Sequence, residues 1–587
     1  MDPNDEASVL EATSDHFEAP ECPPHPSSVP RGNTLSNLPD PKEVCPFNIS
    51  AWEALSVDMP NSTLRDYVIE GLHNGFRLRF HRGPLRSAPR NNPSSYAHME
   101  VVDEYINTEI ARGSMAGPFT SPPFPDLHVS RFGVIPKSTP GKWRLILDLS
   151  FPPGASVNDG ISDIDASVSY QNLDRAIDAI ISAGRGCLLA KFDICSAYRN
   201  IAIHPDDRYL LGMKWRGLFY VDLALSFGGR SAPAIFSSVG DVLQFILSTQ
   251  TKISVILHYL DDYIVISGGR KVLIPKLPVL ANHDFDSILH ANSILGVPVA
   301  DEKTVRPSTI LAFLGIVLDT VGFLAYLPKD KVDDLLILLN HWSQRRNGSK
   351  RELLSLIGKL SFACQVVVHG RPFLRRLIDR AHSVAPLHFR VHLSLSDRED
   401  IRWWLRLLSQ WNGVSLFQYC QWVYLEDLVV TTNAAKSQGI GLIFGTQWCS
   451  FSWPNDMPSS VHISVLELIP IVIAASLWGP QWQRKRILLR CDNSAVVSCL
   501  NSGLPKHPHL AFLVRELSMI AVVHNFSFKA VHVPGVDNRA ADALSRFNIP
   551  LFRSLMPQAN ENPSHVAPEL IRHLLILPLA PEPNYQS

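Results

Sequence analysis

Ser254-Val-Ile-Leu-His-Tyr-Leu-Asp-Asp-Tyr-Ile-Val-Ile266 is the stretch of this 587-residue chain that decides the fold. Two β-branched, apolar runs flank an adjacent pair of aspartates. This pattern predicts a hairpin of buried strands with Asp261 and Asp262 at its tip. An Asp-Asp pair at a turn is usually turn chemistry alone. Here the apolar strands bring the tip close to a core, where paired carboxylates repel unless a cation neutralises them.

A further aspartate follows another apolar strand upstream. Leu188-Leu-Ala-Lys-Phe-Asp-Ile-Cys-Ser-Ala-Tyr198 places Asp193 at the end of that strand. Aspartates brought together from two strands bind hard divalent cations through oxygen, with Mg²⁺ favoured and Mn²⁺ as the alternative. Two such ions serve in-line phosphoryl transfer, so Asp193, Asp261 and Asp262 are the predicted catalytic and metal-binding residues.

Tyr259-Leu-Asp-Asp262 resembles the Y-x-D-D signature of reverse transcriptases, and other segments follow in that family's order. The resemblance implies that Asp193 is the first catalytic aspartate, that Tyr198 excludes a 2′-hydroxyl, and that Lys303 lies near the leaving pyrophosphate. In this family the second aspartate of the pair often lies further from the metals. The resemblance also implies a dNTP pocket that includes Lys137, Lys142, Arg144, Phe227, Ala232 and Pro233. The segments concerned are Val134-Ile-Pro-Lys137, Lys142-Trp-Arg-Leu-Ile-Leu-Asp148, Phe227-Gly-Gly-Arg-Ser-Ala-Pro-Ala-Ile-Phe236, Leu295-Gly-Val-Pro298 with Lys303, and Phe313-Leu-Gly315.

Other segments resemble DIRS-type retrotransposons within the wider family. They are Gly71-Leu-His-Asn-Gly-Phe76, Glu109-Ile-Ala-Arg-Gly113, Gly117-Pro-Phe119, Ser130-Arg-Phe-Gly-Val-Ile-Pro-Lys137, Asp148-Leu-Ser-Phe-Pro152 and Ser156-Val-Asn-Asp-Gly160. Phe227 also stands where retroviral enzymes carry Gln. The sequence contains no Asp-Thr/Ser-Gly triplet of an aspartic protease and no zinc-type integrase signature. DIRS-type elements lack both and pair this module with a tyrosine recombinase, for which the 40 residues after position 547 leave no room.

A second set of acidic residues follows the polymerase-like region. Glu467 lies on a predicted helix, Asp492 follows a predicted strand, and Val531-His-Val-Pro-Gly-Val-Asp-Asn-Arg-Ala-Ala-Asp542 supplies His532 and Asp542. This order resembles retroelement ribonuclease H, in which four carboxylates hold two Mg²⁺ at the scissile RNA phosphate. The resemblance implies that His532 assists product release or proton transfer.

One position departs from the ribonuclease H pattern. The first strand of the domain, Val429-Val-Thr-Thr-Asn-Ala-Ala-Lys436, carries Asn433 where the family carries aspartate. An amide offers one neutral oxygen and cannot bridge two divalent ions as a carboxylate does. We therefore expect a domain that folds but cleaves RNA poorly or not at all.

Composition excludes several classes of protein. Apolar residues make up 46% of the chain, enough to build sizeable cores, and the net charge of −1 excludes a protein that coats nucleic acid with basic residues. The nine cysteines include no C-x-x-C pair, so neither a disulfide scaffold nor a structural zinc site is expected. The acidic N-terminus does not resemble a signal peptide, and the longest apolar stretch is interrupted by Glu467 and Pro470. We expect an intracellular protein, nuclear or cytoplasmic, with no membrane span.

The predicted class is α+β: a right-hand polymerase with fingers, a ferredoxin-like palm and a helical thumb, followed by a ribonuclease H-like α/β domain. Ser349-Lys-Arg-Glu352 predicts a capping box at the start of a thumb helix. The predicted divisions are a disordered acidic, Pro-rich N-terminus (1–48), a helical extension (49–94), fingers and palm (95–325), thumb and connection (326–418), a ribonuclease H-like domain (419–547) and a Pro-rich tail (548–587).

The predicted function is RNA-directed DNA synthesis by a retrotransposon enzyme, with an RNA template, a DNA primer, an RNA–DNA hybrid and dNTPs as partners. Two alternatives remain. Asn433 and the missing recombinase favour a degenerate, non-catalytic nucleic-acid-binding remnant. An RNA-dependent RNA polymerase is disfavoured by the bulky Tyr198 and by the appended domain. The sequence leaves the oligomeric state open.

Overall fold

A computed structural model describes residues 38–82, 88–137, 141–168, 170–251, 255–268, 277–410, 414–415, 428–455, 457, 461–483 and 485–575. This part of the chain forms a mixed α+β fold. It divides into two compact units: one runs to residue 179 and continues over 187–314, and the other contains 180–186 and everything from 315 onward. The predicted boundary at 418–419 lies outside the described residues.

The first unit alternates helices with short strands. Its elements, together with the helix α6 that continues past residue 179, are α1 (Pro41–Val44), α2 (Ile49–Leu55), α3 (Ser62–Asn74), α4 (Pro93–Ala97), α5 (Met99–Arg112), β1 (Met115–Phe119), β2 (Val129–Pro136), β3 (Trp143–Asp148), α6 (Leu173–Ala183), β4 (Leu188–Asp193), β5 (Gly212–Trp215), β6 (Leu218–Asp222), α7 (Ala232–Thr251), β7 (Val255–Tyr259), β8 (Asp262–Ser267), α8 (Leu277–Ile294), β9 (Val305–Ser308) and β10 (Ile310–Phe313).

Two sheets organise this unit. One has the strand order β1-β6-β5-β2-β3, and the other, β7-β8-β4-β9, is antiparallel throughout. The predicted hairpin is present as β7 and β8. Its apolar side chains are buried with those of α7 in one core, which includes Phe192, Val239 and Val265. Because one face of the sheet is buried in this core, a slip of one residue would expose it, and the register is fixed.

The prediction of a disordered N-terminus is wrong for residues 38–48. Asp40 caps the short helix α1, and Val44, Cys45 and Phe47 are buried. Farther along, the Trp52 indole N–H donates to the Leu295 carbonyl at 3.0 Å. Cys45, Phe47 and Trp52 join the core of the β7-β8-β4-β9 sheet, so this part of the segment gains enough burial to offset its ordering entropy. Residues 1–37 lie outside the described part of the chain.

The second unit begins with helices and short hairpins and ends with a larger sheet. Its elements are β11 (Ile316–Asp319), β12 (Leu324–Tyr326), α9 (Lys329–Gln344), β13 (Asn347–Ser349), α10 (Lys350–Ala363), α11 (Arg375–His382), β14 (Arg390–His392), α12 (Leu395–Gln410), β15 (Val414–Ser415), β16 (Val429–Ala435), β17 (Gly439–Phe444), β18 (Gln447–Ser452), α13 (Ile463–Trp478), β19 (Arg486–Cys491), α14 (Ser494–Ser502), α15 (Pro508–Val523), β20 (Ser527–His532), α16 (Arg539–Ser545), α17 (Ile549–Leu555) and α18 (Pro568–Leu575).

The predicted capping box at the start of α10 is confirmed. The Ser349 hydroxyl accepts from the Glu352 backbone N–H at 3.2 Å, and the Glu352 carboxylate accepts from the Ser349 backbone N–H at 2.7 Å. Hydrogen bonds from the Ser349 backbone and side chain lower the pKa of Glu352 to about 2. The N-terminal N–H groups of the helix are thereby satisfied locally.

A five-stranded sheet forms the last part of the second unit, with the order β18-β17-β16-β19-β20. Strands β16, β17 and β18 form an antiparallel meander, whereas β19 and β20 run parallel to β16. Helix α13 is buried along nearly its whole length in the core of this sheet. The ends of β16 and β19 and the middle of α13 therefore approach one another.

The predicted Pro-rich tail after 547 contains the helices α17 and α18 in its described part. Phe552 is fully buried in a small hydrophobic core that is separate from the core containing α13. Leu574 is buried in the core that contains α13. The Trp448 indole donates to the Asn560 carbonyl at 2.7 Å, and the Ser564 backbone N–H donates to the Trp448 carbonyl at 2.7 Å. This segment thus covers the edge strand β18, which would otherwise present unpaired backbone groups. Residues 576–587 lie outside the described part.

Within the residues that the structure describes, two helices are long and apolar enough to cross a membrane, Ala232–Thr251 and Ile463–Trp482. Their most apolar windows are 61% and 78% buried inside the protein. Burial of that extent is typical of core helices in folded domains.

Because Phe552 anchors the C-terminal segment, we predict that Phe552→Ala destabilises the second unit by about 3–5 kcal/mol. Differential scanning calorimetry of the full chain measures this. The exposed Gln558 serves as the control, since Gln558→Ala should leave the melting temperature at the parent value. Equal melting temperatures for Phe552→Ala and the parent would show that the segment is not part of the core.

Candidate active site

The three predicted catalytic aspartates lie on adjacent strands of the β7-β8-β4-β9 sheet. Asp193 ends β4 and stands directly opposite Asp262, the first residue of β8. Asp261 occupies the turn after Leu260, whose φ of +54° lies in the left-handed region. The Ile194 backbone N–H donates to the Asp261 carbonyl at 3.0 Å, which ties the turn to the end of β4.

Burial and mutual repulsion disfavour the charged form of these carboxyl groups. Burial raises the pKa of Asp262 to about 6, with Asp193 and Asp261 adding to the effect and Lys191 opposing it. Burial, with the charge of Asp193, also raises the pKa of Asp261. One carboxylate oxygen of Asp262 is buried without a hydrogen-bond partner. An unsatisfied oxygen among like charges fits a site for divalent cations.

Lys303 is the lysine in direct contact with these carboxylates. Its ammonium donates to both oxygens of Asp193, each at 3.0 Å, and this hydrogen bonding raises the pKa of Lys303. The lysine follows a segment that is anchored to β4, because the Ala300 backbone N–H donates to the Asp193 carbonyl at 2.9 Å. Lys303 is half-exposed, so its ammonium is open to solvent-borne ligands.

Aromatic side chains cluster around the turn that follows β4. Tyr198 lies in a 3-10 turn (Ala197–Asn200) after β4 and is buried, with its ring centroid 4.9 Å from that of Phe227 and 5.3 Å from that of Phe236. Phe227 is 58% exposed. Ala232 and Pro233 begin α7, and Ala232 is buried.

Sequence reasoning missed Tyr170, which lies beside the Y-x-D-D segment. Its ring centroid is 4.8 Å from that of Tyr259. The side-chain oxygen of the neighbouring Gln171 accepts from the His258 backbone N–H at 3.3 Å. The Gln171 side-chain N–H donates to the side-chain oxygen of Gln244 at 2.7 Å. No sequence motif marks Tyr170, because only the folded chain brings it to β7.

The predicted triphosphate-binding cations share one hairpin. Lys137 follows β2, and Lys142 precedes β3, which carries Arg144; the Lys137 backbone N–H donates to the Lys142 carbonyl at 2.8 Å. All three side chains are exposed. None forms an ion pair with a carboxylate in the described part of the chain, so their charges remain available to an anionic ligand.

The second predicted cluster also comes together. Asn433 in β16 and Glu467 in α13 are both buried, Asp492 follows β19, and Asp542 lies on α16. Burial, with the charge of Asp492, raises the pKa of Glu467 to about 8. Among described His, Cys, Asp and Glu side chains, one set of three ligand atoms lies within 4.8 Å of one another: Glu467, Cys491 and Asp492. His532 is exposed at the end of β20, with its Nε2 3.1 Å from the Asp492 carbonyl.

Position 433 is occupied by a hydrogen-bond donor. The Asn433 amide donates to the Asp542 carboxylate at 3.2 Å and to the Ser545 hydroxyl at 2.9 Å. Arg546, which the sequence did not single out, donates to the same oxygen of Asp542 at 2.9 Å. These donors compete with a cation for one oxygen of Asp542, whereas Oε2 of Glu467 is buried without a hydrogen-bond partner. With an amide at position 433, the residues present fit a pair of divalent ions poorly.

Comparison with known proteins identifies one matching protein family and several similar solved structures. Residues 135–318 match the family described as reverse transcriptase (RNA-dependent DNA polymerase), whereas no curated protein matches the chain. The solved structures similar to this chain include foamy viral protease-reverse transcriptase in complex with RNA/DNA hybrid, at 15% identity and a TM-score of 0.48, covering 82% of this chain and 62% of that one. The same viral enzyme in complex with dsDNA has 16% identity and a TM-score of 0.43, covering 82% and 96% of the two chains.

This chain thus spans about three-fifths of the length of the first of these viral proteins. The family match covers both strands that carry the aspartates, the turn with Tyr198, and Lys303. The chain therefore carries a reverse transcriptase domain over residues 135–318.

Proposed function

We propose that this chain is the RNA-directed DNA polymerase of a DIRS-type retrotransposon, acting inside the cell to extend a DNA primer on an RNA template. The observation that carries the proposal is the placement of Asp193 opposite Asp262, with Asp261 in the adjoining turn. Three half-buried carboxylates with one contacting ammonium demand further positive charge. Polymerases meet that demand with divalent ions.

Asp193, Asp261 and Asp262 would hold two Mg²⁺, or Mn²⁺ in their place. Bound there, the ions supply charge for the attacking 3′-hydroxyl and for the leaving pyrophosphate. The ammonium of Lys303, which donates to both oxygens of Asp193, would donate a proton to the leaving pyrophosphate. The unpaired cations Lys137, Lys142 and Arg144 bind the triphosphate, to which the Arg144 guanidinium can present two parallel N–H groups.

Selection of the sugar falls to the aromatic side chains that cluster around the turn after β4. The ring of Tyr198 lies under the sugar of the incoming dNTP and excludes a 2′-hydroxyl by its bulk. Phe227, with the start of α7 at Ala232 and Pro233, forms the floor on which the base rests. Packing of Tyr198 between Phe227 and Phe236 supports this assignment, because a steric filter requires a ring that cannot move aside.

For the C-terminal domain we infer a ribonuclease H-like fold that binds an RNA–DNA hybrid without cleaving it efficiently. The sheet order, with three antiparallel strands followed by two parallel ones, and the convergence of Glu467, Asp492 and Asp542 support the fold. The N–H donors of Asn433 and Arg546 on Asp542 favour the non-cleaving alternative. Full ribonuclease H activity is the competing hypothesis.

The polymerase assignment predicts that Asp261→Asn and Asp193→Asn each lower Mg²⁺-dependent extension of a DNA primer on an RNA template by on the order of a thousandfold or more. Asparagine keeps the size of the side chain but removes the charge that holds the metals. The exposed Asp58 provides the control, since Asp58→Asn should extend primers at the parent rate. Extension at the parent rate by Asp261→Asn would refute the two-metal assignment.

Substrate choice gives a second prediction. Tyr198→Ala should raise rNTP use relative to dNTP use by about tenfold or more, since removing a steric clash is worth at least ~1.4 kcal/mol. Tyr198→Phe keeps the ring and should keep the parent ratio. The measurement is kcat/KM for one dNTP and its matching rNTP. An unchanged ratio in Tyr198→Ala would remove this residue from the sugar pocket.

The C-terminal domain gives a third prediction. The parent chain should show little or no cleavage of the RNA strand in an RNA–DNA hybrid. Asn433→Asp should produce Mg²⁺-dependent cleavage, because a fourth carboxylate completes the charge needed to hold two ions. Adding Asp492→Asn should abolish it. Strong cleavage by the parent that survives Asp492→Asn would show that the site lies elsewhere.

A further inference from the structure

A buried network of charges lies directly behind the sugar pocket. At its centre is Arg199, the residue after Tyr198, which is only 4% exposed. Its guanidinium donates to Glu109 of α5 at 2.7 Å and to Asp222 at the end of β6 at 2.8 Å. Arg112 adds a second cation, 3.6 Å from Glu109. Two carboxylates thus lie against two guanidinium groups, and pairing of this kind offsets the cost of burying charge.

The same guanidinium holds the backbone that leads to Phe227. It donates to the carbonyls of Leu225 and Ala224 at 3.3 and 3.5 Å. The Ser226 hydroxyl also donates to the other carboxylate oxygen of Asp222, the one to which Arg199 does not donate. Each residue of this segment from Asp222 to Ser226 is at least 95% buried, whereas Phe227 itself is mostly exposed. The Phe227 ring packs against that of Tyr198, with centroids 4.9 Å apart, and the hydrogen-bonded backbone before it helps to hold it there.

We propose that Arg199 and the Asp222–Ser226 pair are positioning residues that set the spacing between Tyr198 and Phe227, and through it the discrimination between dNTPs and rNTPs. The inference rests on the proposed function of Tyr198. One guanidinium joins the 3-10 turn that carries Tyr198 to the segment that carries Phe227. A shift of either ring by a fraction of an ångström opens room for a 2′-hydroxyl, and misplacements of about 1 Å cost reactions on the order of a hundredfold.

The positioning role of Arg199 requires several N–H donors in a fixed planar arrangement. A guanidinium offers five N–H donors in one plane, and here they reach two carboxylates and the carbonyls of Ser114, Leu225 and Ala224. An ammonium would preserve the charge but could not bridge the same groups together. Arg199→Lys therefore separates positioning from charge balance.

The test compares sugar discrimination, as the ratio of kcat/KM for dNTP to that for rNTP, in Ser226→Ala and Arg199→Lys. Ser226→Ala removes a single hydrogen bond and leaves the ion pairs intact, so it decides the question if Arg199→Lys does not fold. We expect the ratio to fall by roughly threefold to tenfold in Ser226→Ala and further in Arg199→Lys.

Ser95→Ala is the matched control. Ser95 is fully buried in the same unit, and its hydroxyl donates to the Phe132 carbonyl at 2.7 Å. It should lower the melting temperature as Ser226→Ala does but keep the parent ratio, so a general loss of stability cannot account for the result.

The possible outcomes distinguish failure of the positioning role from failure of the proposed function. If the parent discriminates and Tyr198→Ala does not, but Ser226→Ala and Arg199→Lys keep the parent ratio, the positioning role is overturned and the proposed function stands. If the parent fails to extend primers, or Tyr198→Ala keeps the ratio, the proposed function is overturned and the positioning role falls with it.

Discussion

Pairing of β4 with β8 is the constraint on which the polymerase site depends, because it sets Asp193 opposite Asp262 at the edge of a buried sheet. Carboxylates in that position repel one another and lose hydration, and the raised pKa of Asp262 reflects this cost. The surrounding core of β-branched and aromatic side chains holds the register against the repulsion. Cations offset the repulsion between these carboxylates: Lys303 from the protein and, in the proposed function, two divalent ions from solution.

The two acidic clusters of the chain differ in their hydrogen-bond donors. In each cluster one carboxylate oxygen is buried without a hydrogen-bond partner, Oδ1 of Asp262 in the first and Oε2 of Glu467 in the second. Around Asp542, the Asn433 amide and Arg546 supply N–H groups to one oxygen. Asn433 stands where the ribonuclease H pattern has a fourth carboxylate, and its amide donates to Asp542. The expectation of poor cleavage therefore rests on the missing carboxylate at position 433 and on the donors at Asp542.

Local patterns in the sequence predicted the β7–β8 hairpin, Asp193 at a strand end, the capping box at Ser349 and the convergence of Glu467 with Asp492. Each depends on neighbours within a few residues or on a family motif. The order of residues 38–48 and of the segment around Phe552 was not predictable, because their burial requires partners far along the chain. Arg199 was missed for the same reason: its carboxylate partners are 90 and 23 residues away.

Binding of Mn²⁺ to the full chain tests the central claim most directly. The loss of the free Mn²⁺ signal in electron paramagnetic resonance counts bound ions, with a dideoxy-terminated primer on an RNA template and the matching dNTP present. The account predicts that Asp261→Asn binds fewer ions per chain than the parent, while Asp58→Asn binds the same number. Equal binding by Asp261→Asn and the parent would contradict the assignment of these aspartates as metal ligands.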